Sequence, residues 1–256
     1  METEPLFQVV QSIVHSNCRF EILQYREIAH HDSWNTQQLG NRLQQVRVIL
    51  QEGKITSTED LFYYSKGKIE LNLEKRSTEQ VKKIKRRFLP NHATLQPTYE
   101  GTGEIYFRPE WEHYLIFQLD KNEILVDQHM FICGESSLQL SYADPKNINQ
   151  AVNRNREKLQ QLKLKGSGVC VLRSPVPVDE IVQIDLQDET FRTEEDIVIY
   201  RQPSVEFTIE GTDSSKMFSN IRAADSFLRA YRGTGTIWIT PTRFLHQEDD
   251  EEEEEE

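Results

Sequence analysis

One short pattern constrains this chain more than any other feature, because it occurs three times. The segments are Tyr99-Glu-Gly-Thr-Gly-Glu-Ile-Tyr-Phe107, Leu164-Lys-Gly-Ser-Gly-Val-Cys-Val-Leu172 and Tyr231-Arg-Gly-Thr-Gly-Thr-Ile-Trp-Ile239. Their first glycines, Gly101, Gly166 and Gly233, are 65 and 67 residues apart. A block upstream of each aligns without a gap. Its apolar columns are Leu50/Leu119/Leu186, Ile55/Ile124/Phe191, Leu61/Met130/Ile197, Tyr63/Ile132/Ile199, Ile69/Leu138/Val205, Leu71/Leu140/Phe207 and Leu73/Tyr142/Ile209. A fixed spacing of this kind marks a repeat architecture, here a triplication.

Within the blocks, apolar and polar residues alternate, as in Ile69-Glu-Leu-Asn-Leu73 and Val205-Glu-Phe-Thr-Ile209. That is the period of strands with one buried face. Turn signals punctuate them at Glu52-Gly53, Asp120-Lys-Asn122, Gln187-Asp-Glu189, Lys66-Gly67 and Gln202-Pro203. The opening, Leu6 to Ala29, reads as strand and completes the first copy. The glycine pairs Gly101/Gly103, Gly166/Gly168 and Gly233/Gly235 suit a bulge, a tight entry or close backbone approach. A phosphate cradle is excluded, since no third glycine follows and a strand comes next. The expectation is positive φ, or clustering at a threefold axis, with Leu71, Leu140 and Phe207 all interior.

Polar insertions carry helical spacing. Ser77 and Gln80 form a capping box before Val81, Ile84 and Phe88, predicting a helix over about 78–89. Asp144-Pro145 starts a second, running through Leu159 and Leu162. A third is predicted near 215–230 and a fourth over about 33–43. The predicted fold is therefore all-β: three tandem repeats (about 6–109, 110–174 and 175–244) in one pseudo-threefold domain over 1–246, with a short helix inserted in each.

Charge and cysteine usage narrow the functional classes. Nine of the 42 acidic residues form the run 248–256, leaving 33 against 30 basic residues in the body. The tail 247–256 is too charged and too poor in apolar residues to fold, and is expected to be disordered. The start, Met1-Glu-Thr-Glu-Pro5, has no secretory pattern, and no apolar run approaches the ~18 residues of a membrane helix. Cys18, Cys133 and Cys170 are odd in number and without C-x-x-C, which argues for reduced thiols and a cytoplasmic protein.

Catalytic signatures are absent. His30-His31-Asp32 is the best metal candidate, but neighbours on a strand face opposite ways. His113 and His129 align with Gln44 and Asp60 in the first copy and with Glu180 and Asp196 in the third, so no ligand set repeats. No nucleophile elbow frames a serine, and no cofactor motif appears. The one basic patch is Lys75, Arg76, Lys82, Lys83, Lys85, Arg86 and Arg87. Five of these (Lys82, Lys83, Lys85, Arg86 and Arg87) would face an anionic partner or a membrane surface, weakly and in a salt-sensitive way, and the acidic tail could screen them.

The runs Phe20-Glu-Ile-Leu-Gln-Tyr25, Gln45-Val-Arg-Val-Ile-Leu50, Gly101-Thr-Gly-Glu-Ile105, Pro175-Val-Pro-Val-Asp-Glu-Ile181 and Tyr231-Arg-Gly-Thr-Gly-Thr-Ile-Trp238 resemble the altered-inheritance-of-mitochondria protein family. The resemblance spans about 6–244. It implies a fold like the tryptophan RNA-binding attenuation protein, of β-sandwich or double-stranded β-helix type, with three repeats about a pseudo-threefold axis. Its eukaryotic members are linked to mitochondrial inner-membrane architecture, its bacterial members are of unknown function, and it supplies no catalytic residues. Relatives carry glycine-rich insertions where this chain has Lys/Arg-rich and Asn/Gln-rich ones. The reading is a non-enzymatic, self-associating interaction or scaffold protein. Its alternative is a nucleic-acid or small-ligand binder using the axis or the basic segment.

Overall fold

The computed structural model describes residues 6–26, 42–58, 61–74, 96–127, 129–144, 159–211 and 227–246. These are almost entirely strand: β1 (Phe7–His15), β2 (Cys18–Tyr25), β3 (Gln44–Ser57), β4 (Phe62–Glu74), β5 (Gln96–Phe107), β6 (His113–Asp127), β7 (Phe131–Glu135), β8 (Gln139–Ala143), β9 (Gln161–Ser174), β10 (Val182–Thr193), β11 (Val198–Arg201), β12 (Val205–Gly211) and β13 (Phe227–Ile239). Only short 3-10 turns, at Val178–Glu180 and Arg243–Leu245, interrupt them. The chain is all-β.

The predicted helices fall mostly outside the described residues, as do His30, His31, Asp32, the basic segment 78–89 and the acidic tail. Where helix predictions overlap described residues they are corrected. Leu162 lies in β9, and Phe227, Leu228 and Ala230 lie in β13. Their apolar spacing fits a half-buried strand as well as a helix, and ladder bonds to neighbouring strands settle it.

The residues group into two compact units that interleave along the chain. Unit 1 is Met1–Asn122, His129–Gln139 and Gly166–Val178; unit 2 is Glu123–Gln128, Leu140–Lys165 and Asp179–Glu256. Their limits do not coincide with the repeat limits, because β6 and β9 contribute residues to both.

In unit 1, β1 and β2 form a hairpin closed at His15↔Cys18, with Ser16 at φ 49° in the turn. β2 pairs with the first half of β3, β7 with its end, and β5 runs along its other side. β4 pairs with β5. All these ladders are antiparallel. Phe20, Ile22, Val46, Val48, Leu50, Ile105 and Val169 alternate inward with period 2 and fill one core.

In unit 2, β13 pairs with β10 on one side and with β11 and β12 on the other, and β11 also pairs with the end of β6. Leu186, Val205, Phe207, Tyr231, Ile237 and Ile239 make the core.

Two sequence expectations change here. Phe207 is buried at 4% exposure, but Leu71 is 52% exposed and Leu140 only half-buried, so this column is not uniformly interior. Among the described residues β4 is paired on one side, with β5, and the place on the Tyr99 ring is taken by Phe62 of the same strand, with centroids 5.4 Å apart. Four of the five turn signals are also not turns. Glu52, Lys121 and Asp188 lie inside the long strands β3, β6 and β10, at φ 57°, 51° and 58°. In β3 and β10 the ladder register shifts at Gln51/Gly53 and Gln187/Glu189, the mark of a β-bulge. Lys66-Gly67 likewise sits within β4, whereas Pro203 and Ser204 do form a turn.

Candidate interaction surface

The six motif glycines all have positive φ: Gly101 134°, Gly103 156°, Gly166 132°, Gly168 154°, Gly233 126° and Gly235 152°. Gly101 and Gly103 have backbone against them. A Cβ on Gly101 would lie 2.1 Å from the Lys68 carbonyl oxygen, and one on Gly103 2.2 Å from that of Lys66. Of the alternatives of bulge, tight entry and close backbone approach, the last does not apply at Gly168. Its nearest neighbours are side chains, the Glu135 carboxylate and the Ser137 hydroxyl, each 2.8 Å from where a Cβ would stand. Gly235 is similar, facing Ser204 Oγ at 2.5 Å and Gln202 Oε1 at 2.8 Å. The reason at Gly168 is local: Glu135 reaches across it to accept the Val169 N–H. The second glycine of the motif thus makes room for a backbone in the first copy and for polar side chains in the other two.

The residue between the glycines has its own task. Thr102 Oγ1 accepts a bond from the Glu52 N–H (3.1 Å), Ser167 Oγ from Lys121 (3.0 Å) and Thr234 Oγ1 from Asp188 (3.1 Å). Each hydroxyl satisfies the amide of a left-handed residue inside a long strand. The Thr or Ser of the motif, and the left-handed residue opposite, are functional parts of the strand pair that sequence reading missed.

One row of interacting side chains crosses unit 1, with Glu21 and Tyr106 buried within it. Ladder registers place Glu21 opposite Arg47, Arg47 opposite Tyr106, and Tyr106 opposite Tyr64. Arg47 pairs with Glu21 at 2.5 Å, donates to the Tyr106 hydroxyl at 3.4 Å and lies 5.8 Å from the Phe7 and Tyr106 ring centroids. Tyr64 stacks on Tyr106 at 4.4 Å, and Tyr63 meets Tyr64 edge-on at 5.3 Å. Tyr25 donates to Gln45 at 2.6 Å, and Phe7 packs edge-on against Tyr25. Burial opposes the Arg47 charge, but the bonds to Tyr106 and Glu21 outweigh it and raise its pKa. Burial, with neighbouring Tyr63 and Glu104 adding to it, lifts the Tyr64 phenol. Burial lifts Tyr25 and Tyr106 as well, so all three keep their protons at neutral pH. The row ends in solvent: Tyr63, Tyr64 and Leu71 of β4 are all exposed. Arginine and tyrosine, rigid and amphipathic, are the residues that protein interfaces favour at their centres.

Other titratable groups are satisfied locally. Glu135 is buried and accepts from His15 Nδ1 (2.7 Å) as well as from the Val169 N–H (2.9 Å). Glu110 binds Arg173 and the Tyr114 hydroxyl, and Glu180 binds Thr242 and His246. Arg201 is buried on Gln161 Oε1 (2.7 Å) and the Val205 carbonyl, and burial lowers its pKa to about 10. Unit 2 has a shallow recess walled by Asp127, Gln161, Asp196, Arg229 and Tyr231, where Arg229 lies 3.7 Å from Asp196. The three cysteines are free and buried. Burial pushes the Cys18 thiol up to about 11, helped by Glu135, and that of Cys170 up to about 12. Thiols so raised are protonated and poor nucleophiles. Among the described residues no group of three or more His, Cys, Asp or Glu could hold a metal ion. Among them, too, no helix is long and apolar enough to cross a membrane.

A family profile described as Mitochondrial biogenesis AIM24 matches residues 36–242. The chain belongs to this family. No curated protein matches it. Among solved structures, it is similar to the X-ray crystal structure of a Streptococcus pyogenes protein, with a TM-score of 0.57 and 15% identity, covering 87% of this chain and 93% of that one. At that identity the likeness is one of fold alone.

Proposed function

We propose that this member of the AIM24 family is a non-enzymatic, self-associating interaction or scaffold protein of the cytoplasm, built from three β repeats about a pseudo-threefold axis. The triplication is supported by the amide-to-hydroxyl bond that recurs at Thr102, Ser167 and Thr234. It is supported too by identical registers, Leu50↔Gly103 in β3·β5 and Leu186↔Gly235 in β10·β13. The free, protonated thiols suit a reducing compartment.

The observation that carries the interaction reading is the Glu21–Arg47–Tyr106–Tyr64 row running out to the exposed Tyr63. The buried carboxylates, arginine and thiols described above serve packing and pairing, which leaves recognition as the chemistry on offer. Light scattering of the purified chain from about 1 to 100 μM tests it, within the range where interfaces of ordinary size assemble. Mass above one chain supports the reading, and one-chain mass throughout removes it. The alternative, nucleic-acid or small-ligand binding, rests on Lys82, Lys83, Lys85, Arg86 and Arg87, outside the described residues. A salt-titrated RNA shift assay would reveal it.

A further inference from the structure

The two units contain the same inter-repeat pairing once each. In unit 1 the second half of β7 lies on the end of β3, with Ser57↔Cys133 and Thr56↔Gly134. In unit 2 the second half of β11 lies on the end of β6, with Val126↔Tyr200 and Leu125↔Arg201. The repeat columns make these one arrangement: Ser57, Val126 and Thr193 share a column, as do Tyr64, Cys133 and Tyr200. In both, the middle strand of one repeat pairs with the end of the preceding repeat's long strand. Of the three repeats, the first follows none and the third precedes none. Accordingly β4 is hydrogen-bonded on one side, to β5, and the end of β10 on one side, to β13, among the described residues. Burial follows. Ile132 and Ile199 are 2% and 1% exposed, whereas Tyr63 in the same column is 58% exposed. The ends of β3 and β6 are buried through Ile55–Ser57 and Leu125–Val126, whereas Arg192 at the end of β10 is exposed.

Resting on the self-association reading above, we propose that the start of β4 in one copy takes the end of β10 from a second copy, in the register Tyr64↔Thr193 and Ser65↔Arg192. The two edges are complementary because each is what a neighbouring repeat would have supplied. An unpaired edge is a template for strand addition, and Tyr63 and Tyr64 give this one apolar anchors. The contact is head-to-tail, so each copy keeps one edge of each kind available for the next, until a ring closes.

The test uses full-length chains carrying different affinity tags, co-expressed, one with Tyr64→Cys and the other with Thr193→Cys. The expected result on mild oxidation is a disulfide joining the two tagged chains. It should form roughly ten-fold more than with Ser65→Cys and Thr193→Cys, whose side chains point to opposite faces. Light scattering of Tyr64→Asp and of Arg192→Pro should each show one-chain mass where the parent is larger, with the parent's strand signal in circular dichroism. Assembly that survives both substitutions, without the cross-link, would overturn this interface and leave self-association standing. One-chain mass for the parent at every concentration would remove both. A disulfide that forms only inside one chain bearing both cysteines would also overturn the proposal.

Discussion

Strands β4 and β12 hold the same place beside their glycine strands, in the same register. Leu71 lies opposite Tyr99 and Ile69 opposite Gly101; Phe207 lies opposite Tyr231 and Val205 opposite Gly233. Yet Phe207 is buried and stacks on Tyr231 at 4.8 Å, while Leu71 is in solvent and Tyr99 is covered by Phe62 instead. The aromatic pair behind each strand repeats the contrast: Tyr200 stacks on Trp238 and is buried, whereas Tyr64 stacks on Tyr106 and is exposed. Equal registers therefore set which residues face each other across a ladder. Whether that face is covered depends on the strand lying next to it.

The largest effect that could break this comparison is a truncation pair. Phe207→Ala should cost about 3–5 kcal/mol in urea unfolding, the usual loss for a buried phenylalanine. Leu71→Ala should stay within about 0.5 kcal/mol, as surface changes do. Comparable losses at the two sites would mean that β4 is as interior as β12. The glycines come next. Gly101→Ala should cost well over ~1 kcal/mol, because positive φ and a backbone clash act together. Gly233→Ala, with its nearest contact at 2.7 Å, should cost less, and Gly166→Ala, at 3.2 Å, least. A reversed order in thermal melts would refute the ranking.

A smaller and more uniform effect is expected at the hydroxyls between the glycines. Thr102→Val, Ser167→Ala and Thr234→Val each orphan one amide, so each should lose about 0.5–1.5 kcal/mol, alike in both units. The smallest effect lies in acid, on the rim of unit 2. The hydrogen bond from Arg192, helped by Arg232 and opposed by slight burial, holds the Glu210 carboxyl below its usual range. A depressed carboxyl stabilises the fold above its unfolded pKa, and that contribution disappears as pH falls through the folded value. Arg192→Gln should therefore make the acid limb of the melting-temperature profile slightly less steep. A steeper limb would reverse the sign.

The strand class and the family were legible because period-2 alternation and glycine pairs are local signals. The bulges were not, because Glu52-Gly53 and Asp188-Glu189 look the same in sequence whether the chain reverses or gains one extra residue. What stands against Gly168 was equally hidden, since Glu135 and Ser137 come to it from another strand and the turn after it. Leu71 was misplaced for a related reason: an apolar residue carries no mark of whether its strand is paired on one side, as β4 is among the described residues, or on two. The Arg47 row escaped because its members lie on four strands and meet only through three ladder registers. Aligning Tyr64 with Tyr200, and Tyr106 with Trp238, was the one signal that could have disclosed it.

The bulges also act as phase shifters. Before Glu52 the inward positions of β3 are even-numbered, Val46, Val48 and Leu50; after it they are odd, Gly53, Ile55 and Ser57. Leu119 and then Ile124 and Val126 change parity across Lys121 in the same way. Glu52 and Asp188 are the residues without a partner in the ladder. Losing that single codon would therefore leave the register and the downstream facing intact, whereas losing two would turn the rest of the strand inside out. Elsewhere in a strand facing is kept only by changes counted in pairs, so tolerance to deletion along the gene should be even-numbered except at these bulges, where a single loss is the tolerated one.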